Sequence, residues 1–419
     1  MLTENDRSVQ IELSSPAKKA LERLRARGFS AYVVGGCVRD SLLGKKAQDW
    51  DITTSALPEE TQVVFSDCST YATGIQHGTV TVVLDGVPLE VTTFRVDGEY
   101  SDHRRPDSVA FTRSLKEDLR RRDFTVNALA YHPEEGLWDF FAGREDLQNR
   151  CLRCVGDADT RFQEDALRIL RGLRFSATLG FSLEENTATA IHRNCGRLSH
   201  IAAERIRVEW EKLLRGEWFR PILTEYADVV RVFLPEICPE EYPAEQWREV
   251  VKALTPVEPQ GNFRFAMLLW QTGENLSVQE RVVRGENILR RLKYPREAIA
   301  EITCFLQNGT IHLPQTAAQG CRFLHTFGAE RGLALLRFRE SLTPHAAKKS
   351  RALCEALLRT GACYQLSQLA ISGEDLLRLG ISRGKTVGRI LNALLELVME
   401  GDLPNQAEVL LDAAKGYLQ

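Results

Sequence analysis

The sequence predicts a small α+β head, a mixed β-sheet with helices, followed by a long all-α remainder. Two observations carry this prediction. Runs of β-branched residues occur almost only before about residue 155, and beyond it apolar residues recur with the 3.6-residue period of helices. Proline-rich stretches at 235–239 and 256–261 predict boundaries inside the helical part.

Each element of the head is bounded by a local signal. Gly28 ends the first helical pattern, and Asp85-Gly86 joins two β-branched runs, which is a strong hairpin signal. The predicted elements are, in order, helix 14–27, strand 31–34, helix 38–43, a strand through 49–51, strands 79–84 and 88–94, a mobile loop over 95–108 and a strand at 136–141. In the remainder, helical periodicity covers 166–179, 202–214 and 221–232.

The composition excludes several classes of protein. With 43% hydrophobic and 26% charged residues, the chain is typical of a soluble protein, and no apolar run approaches the roughly 20 residues of a membrane span. The first six residues are polar, and ten cysteines are scattered irregularly, so we expect a cytoplasmic protein with no membrane partner. Because the net charge is −3, a nucleic-acid partner has to be met by local basic patches.

The acidic pair Asp49 and Asp51 is the first candidate for chemistry. On an extended strand, residues two apart point to the same face, so we expect both carboxylates to project together while Trp50 faces the core. Hard oxygen ligands held this close suit Mg²⁺, which keeps other positions for water and phosphates. A surface pair without function remains the alternative at this stage.

A glycine turn precedes the acidic pair by about ten residues. Gly35 and Gly36 follow a predicted strand and permit close approach of a triphosphate to backbone N–H groups, and Arg39 adds a planar fork for phosphate oxygens. The spacing matches neither the Walker nor the Rossmann fingerprint. A tight turn beside a surface arginine is the simpler alternative.

Further polar residues interrupt apolar segments. Glu90 lies on a predicted strand and is a candidate third carboxylate, as metal ligand or base, with a half-exposed strand residue as the equal alternative. Arg122 ends a run of three arginines. Asp123 and Asn127, four residues apart, are placed to orient one arginine toward phosphate or ribose, although such runs are usually only solvated faces.

A second unusual segment repeats charged residues at every third position. Asp165, Arg168, Arg171 and Arg174 are expected along one side of a helix, as a surface for an anionic ligand or, more simply, as a salt-bridged exposed face. A carboxylate beside a guanidinium matches the amino donor and ring-nitrogen acceptor that cytosine and adenine share. We therefore hypothesise that Asp165 and Arg168 select CTP and ATP.

Together and in this order, these motifs resemble the class II tRNA nucleotidyltransferases, the bacterial CCA-adding enzymes of the polymerase β superfamily. The matching stretches are 35–51, 90–95, 121–128 and 156–175, with a weaker likeness at 371–376 and 384–388. The resemblance implies an enzyme that adds C, C and A to the 3′ end of tRNA from CTP and ATP, releasing pyrophosphate, with no obligate protein partner. It implies a nucleotidyltransferase head at 1–150, a base-selecting neck at 151–215, a body at 216–320 and a tRNA-binding tail at 321–419.

The resemblance also implies a role for each motif residue. Asp49 and Asp51 would hold Mg²⁺, with Glu90 as a less certain third catalytic carboxylate. The nucleotide would be bound by the glycine turn, by the arginine motif and by the helical series, which comprise Gly35, Gly36, Arg39, Arg122, Asp123, Asn127, Asp165, Arg168, Arg171 and Arg174. In the tail, Lys348, Lys349, Gly384 and Lys385 would contact tRNA, with Arg351 extending the patch, and solvated helix ends are an alternative of similar weight.

Three features compare this chain with particular subtypes of the family. Residues 97–106 resemble the flexible loop that members adding only CC lack, and 74–79 resemble CCA-adding rather than poly(A)-adding members. Residues 268–273 lack the His-Asp pair of the phosphohydrolase domain found in many relatives. An enzyme adding only the terminal A, a poly(A) polymerase and a non-catalytic RNA-binding descendant remain the alternatives.

Overall fold

The computed structural model describes residues 5–98, 109–240, 243–254 and 261–417. The chain divides into two compact units. The first is built mainly from residues 5–252 with 288–294, and the second mainly from 262–287 and 295–417. Among the described residues, no helix is long and apolar enough to cross a membrane. The four-segment division of the chain stays a prediction.

The first unit contains a mixed β-sheet whose strands are β1 (Asn5–Asp6), β2 (Ala31–Val34), β3 (Asp51–Thr54), β4 (Ser69–Gly74), β5 (Thr79–Leu84), β6 (Val87–Thr93), β9 (Leu129–His132) and β10 (Gly136–Asp139). Their spatial order is β1-β10-β9-β2-β3-β6-β5-β4. Within this sheet, β3 and β6 pair in parallel and the other neighbours pair antiparallel. Two small ribbons add β7 (Arg95–Asp97) with β8 (Val109–Phe111), and β11 (Cys151–Leu152) with β12 (Ser182–Leu183).

The helices before residue 254 are α1 (Ser15–Ala26), α2 (Gly36–Leu42), α3 (Pro58–Val64), α4 (Leu115–Arg120), α5 (Gly143–Gln148), α6 (Ala158–Glu164), α7 (Leu167–Leu179), α8 (Glu185–Asn194), α9 (Ala203–Arg215), α10 (Phe219–Glu225), α11 (Ala227–Phe233) and α12 (Ala244–Ala253). Those after residue 260 are α13 (Gly261–Gln271), α14 (Val278–Arg291), α15 (Arg296–Asn308), α16 (Ala317–Phe327), α17 (Ala329–Leu342), α18 (Pro344–Arg359), α19 (Gly373–Arg378), α20 (Lys385–Glu400) and α21 (Ala407–Lys415). Short 3₁₀ turns occur at Ile75–His77, Thr125–Asn127, Cys195–His200 and Leu366–Gln368. The predicted architecture, an α+β head followed by a helical remainder, is confirmed.

Local sequence signals explain several of these boundaries. Ser14 caps α1 by accepting a hydrogen bond from the Ala17 backbone N–H at 3.4 Å. Asp85 and Gly86 both have positive φ, 51° and 78°, as a two-residue hairpin turn with the right twist requires. A cluster of buried side chains packs around β2 and β9 behind the turn that follows β2, and it comprises Tyr32, Val34, Phe94, Leu119, Ala128, Ala130 and Val155.

Four predicted elements differ from the structure in their bounds. The helix expected at 38–43 begins earlier, at Gly36, and the strand expected through 49–51 begins only at Asp51, so Asp49 precedes it. The helix expected at 221–232 is two helices, because the backbone leaves helical geometry at Tyr226 (φ −106°, ψ 40°). In the loop expected at 95–108, Arg95–Asp97 forms β7. Most of that loop, and the proline-rich stretch 256–261 up to its last residue, lie outside the described residues.

Candidate active site

A cavity of about 900 Å³ in the first unit collects most of the sequence-predicted residues. Eleven lysine and arginine residues and six carboxylates line it, so this surface is basic although the whole chain carries a net charge of −3. The lining cations are Arg39, Lys45, Lys46, Arg95, Arg121, Arg122, Arg168, Arg171, Arg174, Arg205 and Lys212. The lining carboxylates are Asp40, Asp49, Asp51, Glu90, Asp123 and Asp165. A cavity of this size accommodates a nucleoside triphosphate.

Three carboxylates form the acidic part of the cavity. Asp51 is the first residue of β3, and its partner in the parallel ladder is Glu90 of β6, so both side chains project from the same face of the sheet. Asp49 lies two residues before Asp51 in the approach to the strand. None of the three forms a salt bridge within the described part of the chain. They are therefore available to a cation from outside the protein.

The pKa values of two of these carboxylates, Asp51 and Glu90, are raised. Burial in the cavity wall raises the pKa of Asp51, Arg122 opposes the rise, and the neighbouring charge of Asp49 adds to it. The pKa of Glu90 is raised by burial and then by Asp51 and Asp49. Across the described residues, no three His, Cys, Asp or Glu side chains converge closely enough to hold a metal ion by themselves. A metal ion bound here would take part of its ligands from water or from a bound substrate.

The glycine turn touches the cavity through its backbone. Gly35 has φ of +77°, and a Cβ at this position would lie 2.9 Å from Nη1 of Arg122. Gly36 begins α2. Gly35 thus lets the Arg122 guanidinium lie directly against the turn, which the sequence did not predict.

Arg39 is not the open fork that the sequence suggested. It is 8% exposed, and its Nε and Nη2 lie 2.9 and 2.8 Å from Oδ1 of Asp40. Its Nη1 donates to Oδ1 of Asn127 at 2.7 Å. Most of the donors expected for phosphate are therefore engaged within the protein, and Arg39 contributes a fixed, partly compensated charge to the cavity wall.

Asp123 organises this wall from the buried side. Its Oδ1 accepts from Nδ2 of Asn127 at 3.1 Å, and its Oδ2 accepts from Nε of Arg171 at 2.7 Å. Burial alone would raise the pKa of Asp123, but Arg171 and the hydrogen bonds hold it far below the usual range. Asp123 therefore stays ionised and holds Asn127 in place. Asn127 in turn orients Arg39, so the residues four apart do help to fix one arginine.

Arg122 lies near Asp51, and it also lies near a fully buried carboxylate, Asp118. Asp118, fully buried on α4, accepts from Nε and Nη2 of Arg121 at 3.0 and 2.9 Å, and its Oδ2 lies 3.8 Å from Nη2 of Arg122. Burial lowers the pKa of Arg122, and its Nε has no hydrogen-bond partner in the described residues. Sequence reasoning missed Asp118, although its spacing of three and four residues before the two arginines was the signal.

Asp165 and Arg168 line the same cavity, and the Arg168 backbone N–H donates to the Asp165 carbonyl at 3.0 Å, but each side chain is held by another residue. Asp165 lies outside α7, in the turn after α6, and its Oδ2 pairs with Nη2 of Arg205 at 2.8 Å. Arg168 is 8% exposed, and its Nη1 donates to Oε2 of Glu164 at 2.6 Å. The expectation that all four charged residues of this series share one helix is therefore wrong for Asp165.

The helix α9 supplies residues that the sequence analysis missed. Arg205 holds Asp165. Oε2 of Glu209 accepts from Nε of Arg174 at 2.6 Å, and its Oε1 lies 4.0 Å from Nη1 of Arg171. Lys212, one turn further, also lines the cavity. The positions 205, 209 and 212 follow the spacing of one helical face, which was the available signal.

The predicted tail residues lie in the second unit. Lys349 on α18 lines a separate cavity of about 910 Å³ with Arg339 and His345, whereas Lys348 does not. Gly384, with φ of +127°, caps the start of α20, whose first residue is Lys385. Arg351, expected to extend the patch, is instead paired with two carboxylates, Glu340 at 2.7 Å and Glu355 at 2.6 Å.

Three family models match successive parts of the chain. Residues 31–153 match the poly A polymerase head domain, residues 180–239 the probable RNA and SrmB-binding site of polymerase A, and residues 266–414 the putative tRNA nucleotidyltransferase domain 2. The matched ranges together span most of the chain.

Curated relatives match over nearly the whole length. The chain is 37% identical over 404 residues to the CCA-adding enzyme of Lactiplantibacillus plantarum, covering 95% of both proteins. It is 38% identical over 405 residues to that of Leuconostoc mesenteroides subsp. mesenteroides, covering 96% of both. Among solved structures, the Bacillus stearothermophilus CCA-adding enzyme in complex with CTP is 32% identical, with a TM-score of 0.76 over 97% of this chain and 98% of that one.

Proposed function

The chain belongs to the CCA-adding enzymes, a family of tRNA nucleotidyltransferases, and we propose that its cavity adds C, C and A to the 3′ end of tRNA. CTP and ATP are the donors, and no template is needed. The observation that carries the proposal is the division of one cavity into an acidic part, formed by Asp49, Asp51 and Glu90, and a basic part rich in arginine. Nucleotidyl transfer requires both parts, because carboxylates hold the metal ion, arginines hold the triphosphate, and the two must lie next to each other.

Members of this family generally use a divalent metal ion, and we assign Mg²⁺ to Asp49 and Asp51. The donor set fits, because both carboxylates are hard oxygen ligands and no cation of the described residues forms a salt bridge with them. Mg²⁺ keeps several positions for water and substrate oxygens, so two protein ligands suffice. The bound metal would stabilise charge on the attacking and leaving oxygens. Glu90, beside Asp51, is a third carboxylate that strengthens the local negative potential.

The arginines have a different task in this proposal. The tRNA 3′-hydroxyl attacks the α-phosphate of the nucleotide, a new phosphodiester bond forms, and the bond to pyrophosphate breaks. Arg122, packed against the glycine turn, and Arg171 and Arg174 of α7 balance the triphosphate charge as it shifts to the leaving group. Because carboxylates behind these arginines hold them in place, little reorganisation is needed at the moment of reaction.

Base selection is assigned to Asp165 and Arg168. Each is held by a separate partner, Arg205 for Asp165 and Glu164 for Arg168, so the carboxylate and the guanidinium are positioned independently at the cavity wall. Cytosine and adenine share the donor and acceptor pattern that such a pair complements, and uracil and guanine present the reverse. We also assign tRNA contacts to Lys348, Lys349, Gly384 and Lys385, and the tRNA substrate makes the cytoplasm the proposed site of action.

The test is the sequence of the product. Purified protein is incubated with Mg²⁺, CTP and ATP and with two tRNAs, one ending at the discriminator base and one ending in CC, and the 3′ ends are sequenced. The proposal expects CCA on the first substrate and A on the second. Extension of the CC-ended tRNA alone would show an enzyme that adds only the terminal A, and a long A tract would show a poly(A) polymerase. Either result would replace the proposed function.

A further inference from the structure

Three guanidinium groups surround one phenylalanine ring in the cavity wall. The Cζ atoms of Arg39, Arg171 and Arg174 lie 5.1, 5.5 and 3.7 Å from the ring centroid of Phe175. All three distances fall within the range at which a cation is attracted to an aromatic face. Phe175 is 6% exposed, and the residue lines the cavity beside the same three arginines.

The ring is held in place from behind. Phe124 contacts Phe175 edge to face, with ring centroids 5.9 Å apart and planes at 83°. A Cβ on Gly172 would lie only 3.0 Å from the Phe124 ring, so that ring has little room to move away. This packing fixes the position of the Phe175 ring beside the arginines.

Each of the three guanidinium groups already has a carboxylate partner, and these partners are Asp40, Asp123 and Glu209. Burial lowers the pKa of Arg174, Glu209 opposes the fall, and the neighbouring charge of Arg171 adds to it, as expected for two like charges held close together. A further carboxylate at the position of Phe175 would attract the arginines too, but it would cancel more of the charge that a triphosphate needs. An aromatic face attracts cations through its quadrupole and leaves their formal charge unchanged.

We propose that Phe175 is a positioning residue, whose ring holds Arg171 and Arg174 in the orientation that binds the phosphates of the incoming nucleotide, beside the fixed charge of Arg39. This inference rests on the proposed function, because it assigns a support for the triphosphate of CTP and ATP. Phe175 does not take part in bond making. It acts through these arginines.

Progressive fluorination of the Phe175 ring in the full-length protein tests the inference. Fluorine atoms withdraw electron density from the aromatic face while the ring keeps its shape, so the attraction for cations weakens stepwise. We expect the KM for CTP and for ATP to rise with each fluorine, by about three- to tenfold from phenylalanine to the trifluorinated ring. The kcat should fall by a smaller factor than the KM rises, because Asp49 and Asp51 are unchanged and only the arginine contacts to the departing pyrophosphate weaken.

The same fluorinated series at Phe233 is the matched control. Phe233 is a buried ring of the same unit that packs edge to face on Trp210, with centroids 5.4 Å apart, and it does not line the cavity. A KM at Phe175 that is independent of fluorination, or an equal rise at Phe233, would overturn the inference. As a second variant, Phe175→Leu should raise KM, and Phe175→Tyr should restore it. Addition of CCA by the unmodified protein in the same assay tests the proposed function separately.

Discussion

Asp51 and Glu90 are partners in register on the two parallel strands β3 and β6, although they are 39 positions apart in the chain. The pairing brings a second carboxylate next to the first on the same face of the sheet. Both pKa values are raised by burial, and each residue is affected by the charge of Asp49. The acidic part of the cavity is thus assembled by strand pairing, and its members are expected to contribute unequally.

Asp51→Asn should abolish most nucleotide addition. The substitution keeps the size of the side chain but removes a charged metal ligand, so we expect CMP and AMP incorporation to fall about a thousandfold. Affinity for tRNA should remain unchanged in a filter-binding assay, because the proposed tRNA contacts lie elsewhere. Glu90→Gln should have a smaller effect, about tenfold, since the described residues contain no preformed metal site of three carboxylates.

A surface aspartate provides the control for Asp51. Asp67→Asn removes a carboxylate that pairs with Arg23 at an exposed position, and incorporation should stay within about twofold of the unmodified protein. An Asp51→Asn protein that adds nucleotides at an ordinary rate would contradict the assignment of the metal to this residue.

Gly35→Ala should weaken nucleotide binding by displacing Arg122. A Cβ at Gly35 would lie 2.9 Å from Nη1 of Arg122, and the φ of +77° is itself strained for alanine, at a cost of about 1 kcal/mol. We expect the KM for CTP and ATP to rise about tenfold. Gly28→Ala is the matched control, because Gly28 has φ of +84° but no atom within 4 Å of its Cβ position. Equal effects of the two substitutions on KM would refute the contact with Arg122.

Arg168→Ala should relax the choice of nucleotide. Loss of the guanidinium removes one half of the proposed base-reading pair, so UTP should be accepted about tenfold to a hundredfold better relative to CTP. The measurement is kcat/KM for single incorporation of each of the four nucleotides. Arg193→Ala, which breaks an exposed pair with Asp159, should leave the ratios unchanged. Unchanged rejection of UTP and GTP by Arg168→Ala would disprove the assignment.

His132 should make stability depend on pH. Its Nδ1 accepts a hydrogen bond from the Glu134 backbone N–H at 3.1 Å, and burial followed by Arg25 lowers its pKa, with Glu135 and Glu134 opposing. Because the unfolded state then binds more protons, this contribution is complete above the unfolded pKa of about 6.5 and is lost as pH falls toward the lowered pKa. The loss is at most about 1.4 kcal/mol per pH unit.

The variant His132→Asn keeps an acceptor for the Glu134 N–H and has no group that titrates in this window. Urea unfolding at several values between pH 5 and pH 7.5 should show a shallower pH dependence for the variant than for the unmodified protein. Parallel curves for the two proteins would show that His132 carries none of the dependence.

The local elements were predictable because their signals are local. The Ser14 cap, the Asp85-Gly86 turn and the β-branched strands follow from residues adjacent in sequence. The break at Tyr226 has no comparable signal in the 221–232 pattern, which continues with apolar residues at helical spacing. Tertiary packing decides such breaks, and periodicity does not record them.

The residues of the candidate site were more predictable than the hydrogen bonds and salt bridges between them. Sequence and family resemblance identified Asp49, Asp51, Arg122, Asp165 and Arg168, and the structure brings all of them to one cavity. Their partners were not predictable, because Asp118, Glu209 and Arg205 are ordinary charged residues on helices when only the sequence is considered. The pairing of Arg39 with Asp40 was likewise not predictable.

The fold class, the hairpin, the family and the residues from which the chemistry is built follow from residue type and spacing alone. Which charges are compensated and which remain available depends on how the strands and helices pack in three dimensions. Asp123 and Asp165 lie as close to arginines as a salt bridge allows, whereas Asp49, Asp51 and Glu90 have no such partner among the described residues. The physical reason is that the free energy of a charge depends on its neighbours in space, and strand pairing and helix packing set those neighbours.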